Sequence, residues 1–531
     1  MMGNKKLQVW LPLIFSLVLI GGMFLGFKLS DQSGSKRGFF SSNSRSTLQE
    51  ALDLIKMRYV DSVQIDTLEG RAIQEMMNEL DPHSVYLPPV ELKEANEDLA
   101  GNFDGIGVEF NIFSDTVNVV YVFPDGPSDK AGLVIGDKIT RVNDSSLTRK
   151  GVSINEIKAL IRGPKGSKAI LQVIRGAKQQ SITVTRGKIP VPSIEASYMI
   201  DKNTGYIKLT KFSESSYEEF MQAMEALQKQ GMLSLVFDLR GNGGGFMNEA
   251  VDMADEFLEG DKLIVYTEGV NSKKREYRCK RPGLFEKGKL VLLVDELSAS
   301  ASEVLAGALQ DWCRATIIGR RTFGKGLVQE QYQLRDGSAM RLTVARYYTP
   351  LGRSIQRPYE KGKKVYMDEL WERFNSGEMV SADSMKNHNG FRFTTACSDT
   401  LYGGGGITPS IFVPIDTSVS QQKANRLTFA ANINSFVYNY YLQNKIQVDK
   451  YNTTADFITG FNNTEGIWND LVKFTATDSV NFKSVAGKEK ELVQQRLKAL
   501  LARYKWRNAG FYQVLNSNDA MVKKAMETIA K

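Results

Sequence analysis

Two short apolar runs constrain this chain more than anything else in it. Leu233–Phe237 and Leu290–Val294 carry no charged residue, and each is followed by an aspartate and then, within three or four residues, by a stretch of Gly or of Ser and Ala. Runs of that length bounded by turn signals read as strands buried on both faces. Tyr206–Leu209 has the same character, while Phe220–Leu227 and Ala299–Trp312 carry helical spacing. Strands therefore alternate with helices from residue 188 to about 415, which argues an α/β core.

At 531 residues the chain is long enough for three or four domains. A helical segment is expected over 47–90, where Leu48, Leu52 and Ile55 share a face and Asp81-Pro82 ends the pattern. Residues 91–187 read as a small β-rich unit. Its strands are Val117–Phe123, Ile139–Val142, Ala169–Ile174 and Ser181–Thr185, with one amphipathic helix around Ile154–Ile161. Polar residues 360–399 interrupt the α/β rhythm and read as an insertion. Residues 416–531 read as a helical region whose Phe436, Tyr438, Tyr440 and Tyr441 belong to a core. The fold class expected is multidomain α+β.

The amino terminus divides into a tail (1–7), an apolar segment (8–28) and a linker (29–46). Val9–Phe27 is uncharged and nearly long enough to span a bilayer as a helix. The first alanine is Ala51, so no A-x-A cleavage site follows, and an uncleaved transmembrane signal-anchor is expected. Lys28, Lys36, Arg37 and Arg45 follow the segment, so the charge rule does not favour export. A periplasmic or extracytoplasmic placement rests on the terminal position of the segment and on the activity that the motifs of the chain imply.

Three segments carry chemistry. Asp238-Leu-Arg-Gly-Asn-Gly-Gly-Gly245 frees backbone N–H groups to face a ligand; alone it fits a tight turn, a phosphate cradle or an oxyanion hole. Ser298-Ala-Ser-Ala-Ser302-Glu303 opens a helix, and Ser300 with Glu303 makes an S-x-x-E capping pattern. A nucleophile also benefits there, because N–H groups at a helix start stabilise negative charge. The stretch 319–326 nearly matches a P-loop. It fails at Gly326, which has no hydroxyl for Mg²⁺, and at Leu327–Leu334, which alternates like a strand.

Composition narrows the choice. The two histidines, His83 and His388, lie far in sequence from these segments. Cys279, Cys313 and Cys397 form no C-x-x-C pair, which argues against a zinc site and leaves room for one disulfide. No metal or cofactor is expected. The net charge of +8 is spread among 60 acidic residues, which argues against a nucleic-acid partner.

Taken in order, the motifs LDPHSVYLPP, GIGVEF, DKAGLVIGDKI, DLRGNGGG, SASASEVLAGALQD, TFGKGLVQ and GSAMRLTVARYYTPLGRSIQ resemble the carboxyl-terminal processing proteases, a family of PDZ-containing Ser–Lys peptidases. The resemblance covers about residues 47–415. It implies a PDZ domain over 91–187, inserted before a ClpP/crotonase-like protease core. It implies Ser300 as nucleophile, Lys325 as general base, Gln329 as the residue positioning that lysine and Asp311 as a supporting acid. Gly245 and Ala301 are implied as oxyanion donors. Gly105, Ile106, Gly107 and Val108 are implied to capture the terminal carboxylate of a peptide added as a strand. The implied partners are protein substrates with free, apolar C-termini, and the membrane through the N-terminal segment. The flanking helices could form a homodimer. The alternative is a scaffold or chaperone with an inactive core.

A Ser–Lys pair would suit so histidine-poor a chain, and it makes a physical demand. A free lysine is neutral in only about one molecule in 2,500 at pH 7, so its pKa must fall by roughly three units. Burial against Leu327, Val328 and apolar neighbours is the expected cause.

Overall fold

The computed structural model describes residues 16, 18–23, 46–113, 115–148, 151–384, 391–430, 432–476, 480 and 482–531. It divides into two compact units, residues 1–73 and 74–531. In the first, Thr47–Arg58 is a helix whose N-terminal Gln49 N–H is capped by the Ser46 side chain. A second helix, Ile65–Asn78, starts within it. Of the expected anchor at 8–28, only Ser16 and residues 18–23 are described, as helix. The rest of that segment, nearly all of the linker and His388 lie outside the described residues. Among the described residues no helix is long and apolar enough to cross a membrane.

The second unit begins with β1 (Val85–Leu87) and the helix Pro89–Ala100, the latter inside the range read as β-rich from sequence. The ribbon Asn102–Gly105, paired with Gly187–Pro190, closes the neck of the next domain. That domain is an antiparallel six-stranded sheet including β2 (Val108–Phe113) and β3 (Thr116–Val122), with α1 (Ile154–Ile161) packed on it. Val117, Val119, Leu171 and Val173 alternate into its core, as period-two strands require.

The α/β core comes next along the chain. β4 (Ile194–Met199) and β5 (Thr204–Leu209) are antiparallel. From β5 the sheet is parallel, through β6 (Ser234–Asp238), β7 (Lys289–Val294), β8 (Thr316–Gly319) and β11 (Ile411–Phe412). The crossovers carry α2 (Ser216–Lys229), α3 (Met247–Asp255) and α4 (Ala301–Asp311). Parallel crossovers share one hand, so strands added in sequence order put these helices on one face. The side chains agree: Leu235, Phe237, Leu292 and Val294 pack with Phe220, Val251 and Leu305. Their alternates Val236, Val291, Leu293 and Ile318 face Met521, Val522 and Ala525 of α6 (Ala520–Ala530). The helical C-terminal region thus supplies the second cover of the sheet, through α6 and α5 (Gly487–Asn516), which leads to it. A smaller sheet joins β1 to β10 (Ala339–Tyr348), and β10 to β9 (Leu327–Gln333).

The insertion is built into the core. Its helix Lys363–Asn375 carries Arg373, which is buried, shares the Glu378 carboxylate with Arg321 and donates to the carbonyls of Arg321 and Thr322. A disulfide joins Cys397 to Cys313, just past α4, with Cα atoms 6.4 Å apart. Cys279 is free and buried.

Candidate active site

The three chemistry-bearing segments leave the carboxyl ends of β6, β7 and β8. Ligand sites of open parallel sheets gather at that edge, where successive loops converge. The edge opens into a cleft of about 820 Å³ lined by Gly245, Ser300, Ala301, Lys325, Gln329, Arg341 and Tyr347, among others.

Ser300 sits between β7 and α4 with φ +57° and ψ −114°. A non-glycine residue at positive φ costs of order 1–3 kcal/mol and persists where its surroundings over-determine it. Here they do. The Asn242 carbonyl accepts from the Ala299 N–H (3.0 Å) and from Ser302 Oγ (2.9 Å), and Ser298 Oγ donates to the Leu239 carbonyl (2.9 Å). The flanking serines therefore tie the serine loop to the glycine loop.

The glycine loop is shaped by close approach. A Cβ on Gly245 would stand 2.2 Å from the Phe212 carbonyl oxygen, and one on Gly244 would stand 2.7 Å from the Ser300 Cβ. Phe212 donates to the Gly244 carbonyl (3.0 Å) and accepts from the Phe246 N–H (2.8 Å), an isolated parallel bridge centred on Gly245. In such a bridge the central residue turns its own N–H to the opposite side. Gly245 and Ala301 both line the cleft.

Lys325 precedes β9. Its Nζ donates to Gln329 Oε1 at 3.0 Å. The Gln329 amide has its direction fixed from behind, since its Nε2 donates to the His83 carbonyl. That carbonyl is set by the turn Asp81–Ser84, in which Asp81 accepts from the N–H groups of His83 (2.8 Å) and Ser84 (2.9 Å). The β9–β10 ladder shifts register between Val328 and Gln329, a bulge of the kind that re-aims a side chain. Burial lowers the pKa of Lys325, and the charge of Arg341 acts in the same direction against Asp81 and Glu303. Leu327 and Val328 line the same cleft. The Tyr347 hydroxyl donates to the Lys325 carbonyl.

One residue joins the serine and lysine loops. Glu303 is fully buried, and its carboxylate accepts from the N–H groups of Ser300 (2.9 Å), Gly324 (2.7 Å) and Lys325 (2.8 Å), and from Thr322 Oγ1 (2.5 Å). Burial pushes its pKa up to about 7, against those four donors. The sequence marked Glu303 only as a helix-capping partner. Asn242, Arg341, Tyr347 and His83 lie inside the motifs that carry the resemblance, but no role is assigned to them from sequence, and His83 enters by its backbone carbonyl.

Asp311 lies elsewhere. It ends α4, ten residues or about 15 Å along the helix from its start, and does not line the cleft. Both it and Arg353 are buried, joined at Oδ1 by Nε (3.0 Å) and Nη2 (2.5 Å), and Oδ2 accepts the Leu351 N–H (2.9 Å). Its place is to fasten the helix to the turn after β10.

A second groove, of about 380 Å³, lies between β2 and α1. Ile106, Gly107 and Val108 line it with Ile154 and Lys158. Gly105 sits one step back, in the neck ribbon. Gly107 has φ +77°, a conformation that suits glycine.

Comparison with known proteins agrees with this division. Residues 203–362 match Peptidase family S41, residues 105–185 match the PDZ domain, and residues 424–507 match a family of unknown function. The carboxy-terminal processing protease CtpA of Bacillus subtilis is 35% identical over 358 residues, covering 67% of this chain and 76% of the relative. The carboxy-terminal-processing protease of Bartonella bacilliformis is 32% identical over 349 residues, covering 64% and 80%. Among solved structures, a photosystem II D1 C-terminal processing protease is 26% identical with a TM-score of 0.35, covering 69% of this chain and 86% of that one.

Proposed function

The chain belongs to the carboxy-terminal processing proteases, serine proteases of family S41 with a PDZ domain, and on that premise we propose that Ser300 and Lys325 form its catalytic dyad. The observation that carries this reading is the fixed geometry behind Lys325. The His83 carbonyl holds the Gln329 amide so that its oxygen faces the amine. A neutral amine donating one hydrogen to Gln329 keeps its lone pair for a proton.

In this reading Ser300 Oγ attacks the scissile carbonyl as Lys325 Nζ takes its proton. The N–H groups of Gly245 and Ala301 receive the oxyanion. Lys325 then protonates the leaving amine, leaving an acyl ester on Ser300. Water, deprotonated by Lys325, attacks that ester and regenerates the hydroxyl. The groove between β2 and α1 takes the substrate's carboxyl-terminal tail, its carboxylate at the backbone of Gly105–Val108. Cys313–Cys397 supports an extracytoplasmic site for this machinery, since such bonds persist in oxidising compartments. The segment 8–28 would be its anchor.

Ser300→Ala and Lys325→Ala, each assayed on an unfolded substrate with an apolar C-terminus, are expected to lose hydrolysis by at least about 10³-fold with the fold intact. Retained cleavage in either variant would refute the dyad.

A further inference from the structure

The tail groove has a wall that does not come from its own domain. Arg503, on α5 of the C-terminal helical region, lines it alongside Val108, Phe110 and Lys158. This region docks on the outer face of β2 and β3. Tyr438 packs on Phe113 (5.4 Å between ring centres), and the Arg507 guanidinium sits 3.2 Å from the centre of the Tyr121 ring. α5 breaks at that point, with Trp506 off helical geometry and Arg507 at φ +56°. The break lets both arginines converge on one carboxylate. Glu109 of β2 accepts from Arg503 Nη2 (3.3 Å) and also from Arg507.

Two guanidiniums on one carboxylate leave a positive charge unmatched. Arg503 and Glu109 are also 41% and 30% exposed, so their bond can exchange at little cost. Among the described residues Glu109 carries the only carboxylate lining the groove, against Lys158, Arg162 and Arg503. Binding of tails in this groove belongs to the proposed function, and the role of Arg503 rests on it. A tail whose carboxylate meets Gly105–Val108 runs antiparallel to β2, with its last residue beside Val108 and its penultimate residue beside Glu109. Side chains alternate across a strand, so that penultimate side chain emerges on the Glu109 face, where Arg503 stands.

We propose that Arg503 is a specificity-determining residue of the tail groove, pairing with an acidic side chain at the penultimate position of the bound tail. Arg507 keeps Glu109 neutralised while Arg503 turns to the ligand. The C-terminal helical region thereby completes the recognition site of the domain it is docked on.

The test uses the full chain carrying Ser300→Ala, so that peptides survive. Fluorescence anisotropy is measured with labelled peptides ending Glu-Ala, Gln-Ala or Lys-Ala, each with a free or an amidated terminus. The Glu-Ala tail is expected to bind about tenfold more tightly than Lys-Ala. Adding Arg503→Ala should cut that ratio below about twofold while free tails still outbind amidated ones. Arg503→Lys should keep the preference, and Glu109→Gln, which leaves Arg503 in place, should enlarge it. A ratio unchanged in Arg503→Ala, or absent from the parent, overturns the assignment. Equal binding of free and amidated tails, or no binding by any peptide, overturns the tail reading itself and the assignment with it.

Discussion

Helix α4 carries a buried carboxylate at each end, and the two are used in opposite ways. Glu303, in the first turn, meets only uncharged donors, three backbone N–H groups and one hydroxyl. Asp311, in the last turn, meets the full charge of Arg353. An ion pair supplies strength with loose angular demands. Four directed bonds from two separate loops fix where those loops stand. The end of the helix at the cleft is therefore held by geometry and the far end by charge.

Substitution at Glu303 should break that contrast most sharply. Glu303→Gln replaces one acceptor oxygen by a donor facing other donors, and each buried group so orphaned costs about 1–3 kcal/mol. We expect turnover to fall at least about 100-fold, with folding retained by circular dichroism. A variant keeping most of its turnover would show that Glu303 does not register the two loops. The same carboxyl makes a pH prediction. Its folded pKa of about 7 lies above its ordinary value of 4.5. Its contribution to stability is thus fully present below about pH 4.5 and is lost as pH rises through 7. Calorimetry of the Ser300→Ala chain between pH 4.5 and 8 should show this fall, and the added Glu303→Gln change should flatten it.

The other end should respond in stability. Asp311→Ala leaves Arg353 buried and unpaired, a loss of about 3–5 kcal/mol. Denaturant melts should register it, with activity falling only as the folded fraction falls. Replacing both partners by apolar residues should recover most of the loss. A variant as stable as the parent but inactive would move Asp311 to the catalytic end of the comparison.

The smallest expected effect concerns the lysine itself. In the proposed dyad Lys325 acts as its neutral amine, so the rate is expected to rise with pH through its folded pKa. The Arg341 charge helps to lower that pKa. Arg341→Met should move the rising limb to higher pH and lower the rate at neutral pH, read from the pH–rate profile of the variant beside the parent. A limb that stays put would leave burial as the sole cause.

These contrasts also mark how far the sequence could be read. The strands were legible because apolar runs and period-two patterns are local: Leu290–Val294 is strand from Lys289 to Val294. Glu303 was visible as part of S-x-x-E, but three of its four donors come from residues 322–325, and no local pattern reports a bond across that distance. Asp311 carried a functional signal by resemblance, and the fold pairs it with Arg353, away from the cleft. The glycine loop stayed ambiguous because the direction of its N–H groups is decided by Phe212, 33 residues upstream of Gly245. His83 was set aside for its distance in sequence, and its carbonyl is what faces Gln329. The C-terminal region was legible as helical with an aromatic core, but not that Met521, Val522 and Ala525 form a stripe covering the sheet, because their partners Val236, Val291, Leu293 and Ile318 lie about 200 or more residues upstream.

That last stripe has a bearing on how the protein is made. Ala520 follows Ser300 by 220 residues. At about 5–20 residues per second, the ribosome reaches it some ten to forty seconds after Ser300. Until then one side of the central sheet has no α6 to cover it. The face formed by Val236, Val291, Leu293 and Ile318 therefore waits, after its own strands have been made, for a stripe that α6 supplies.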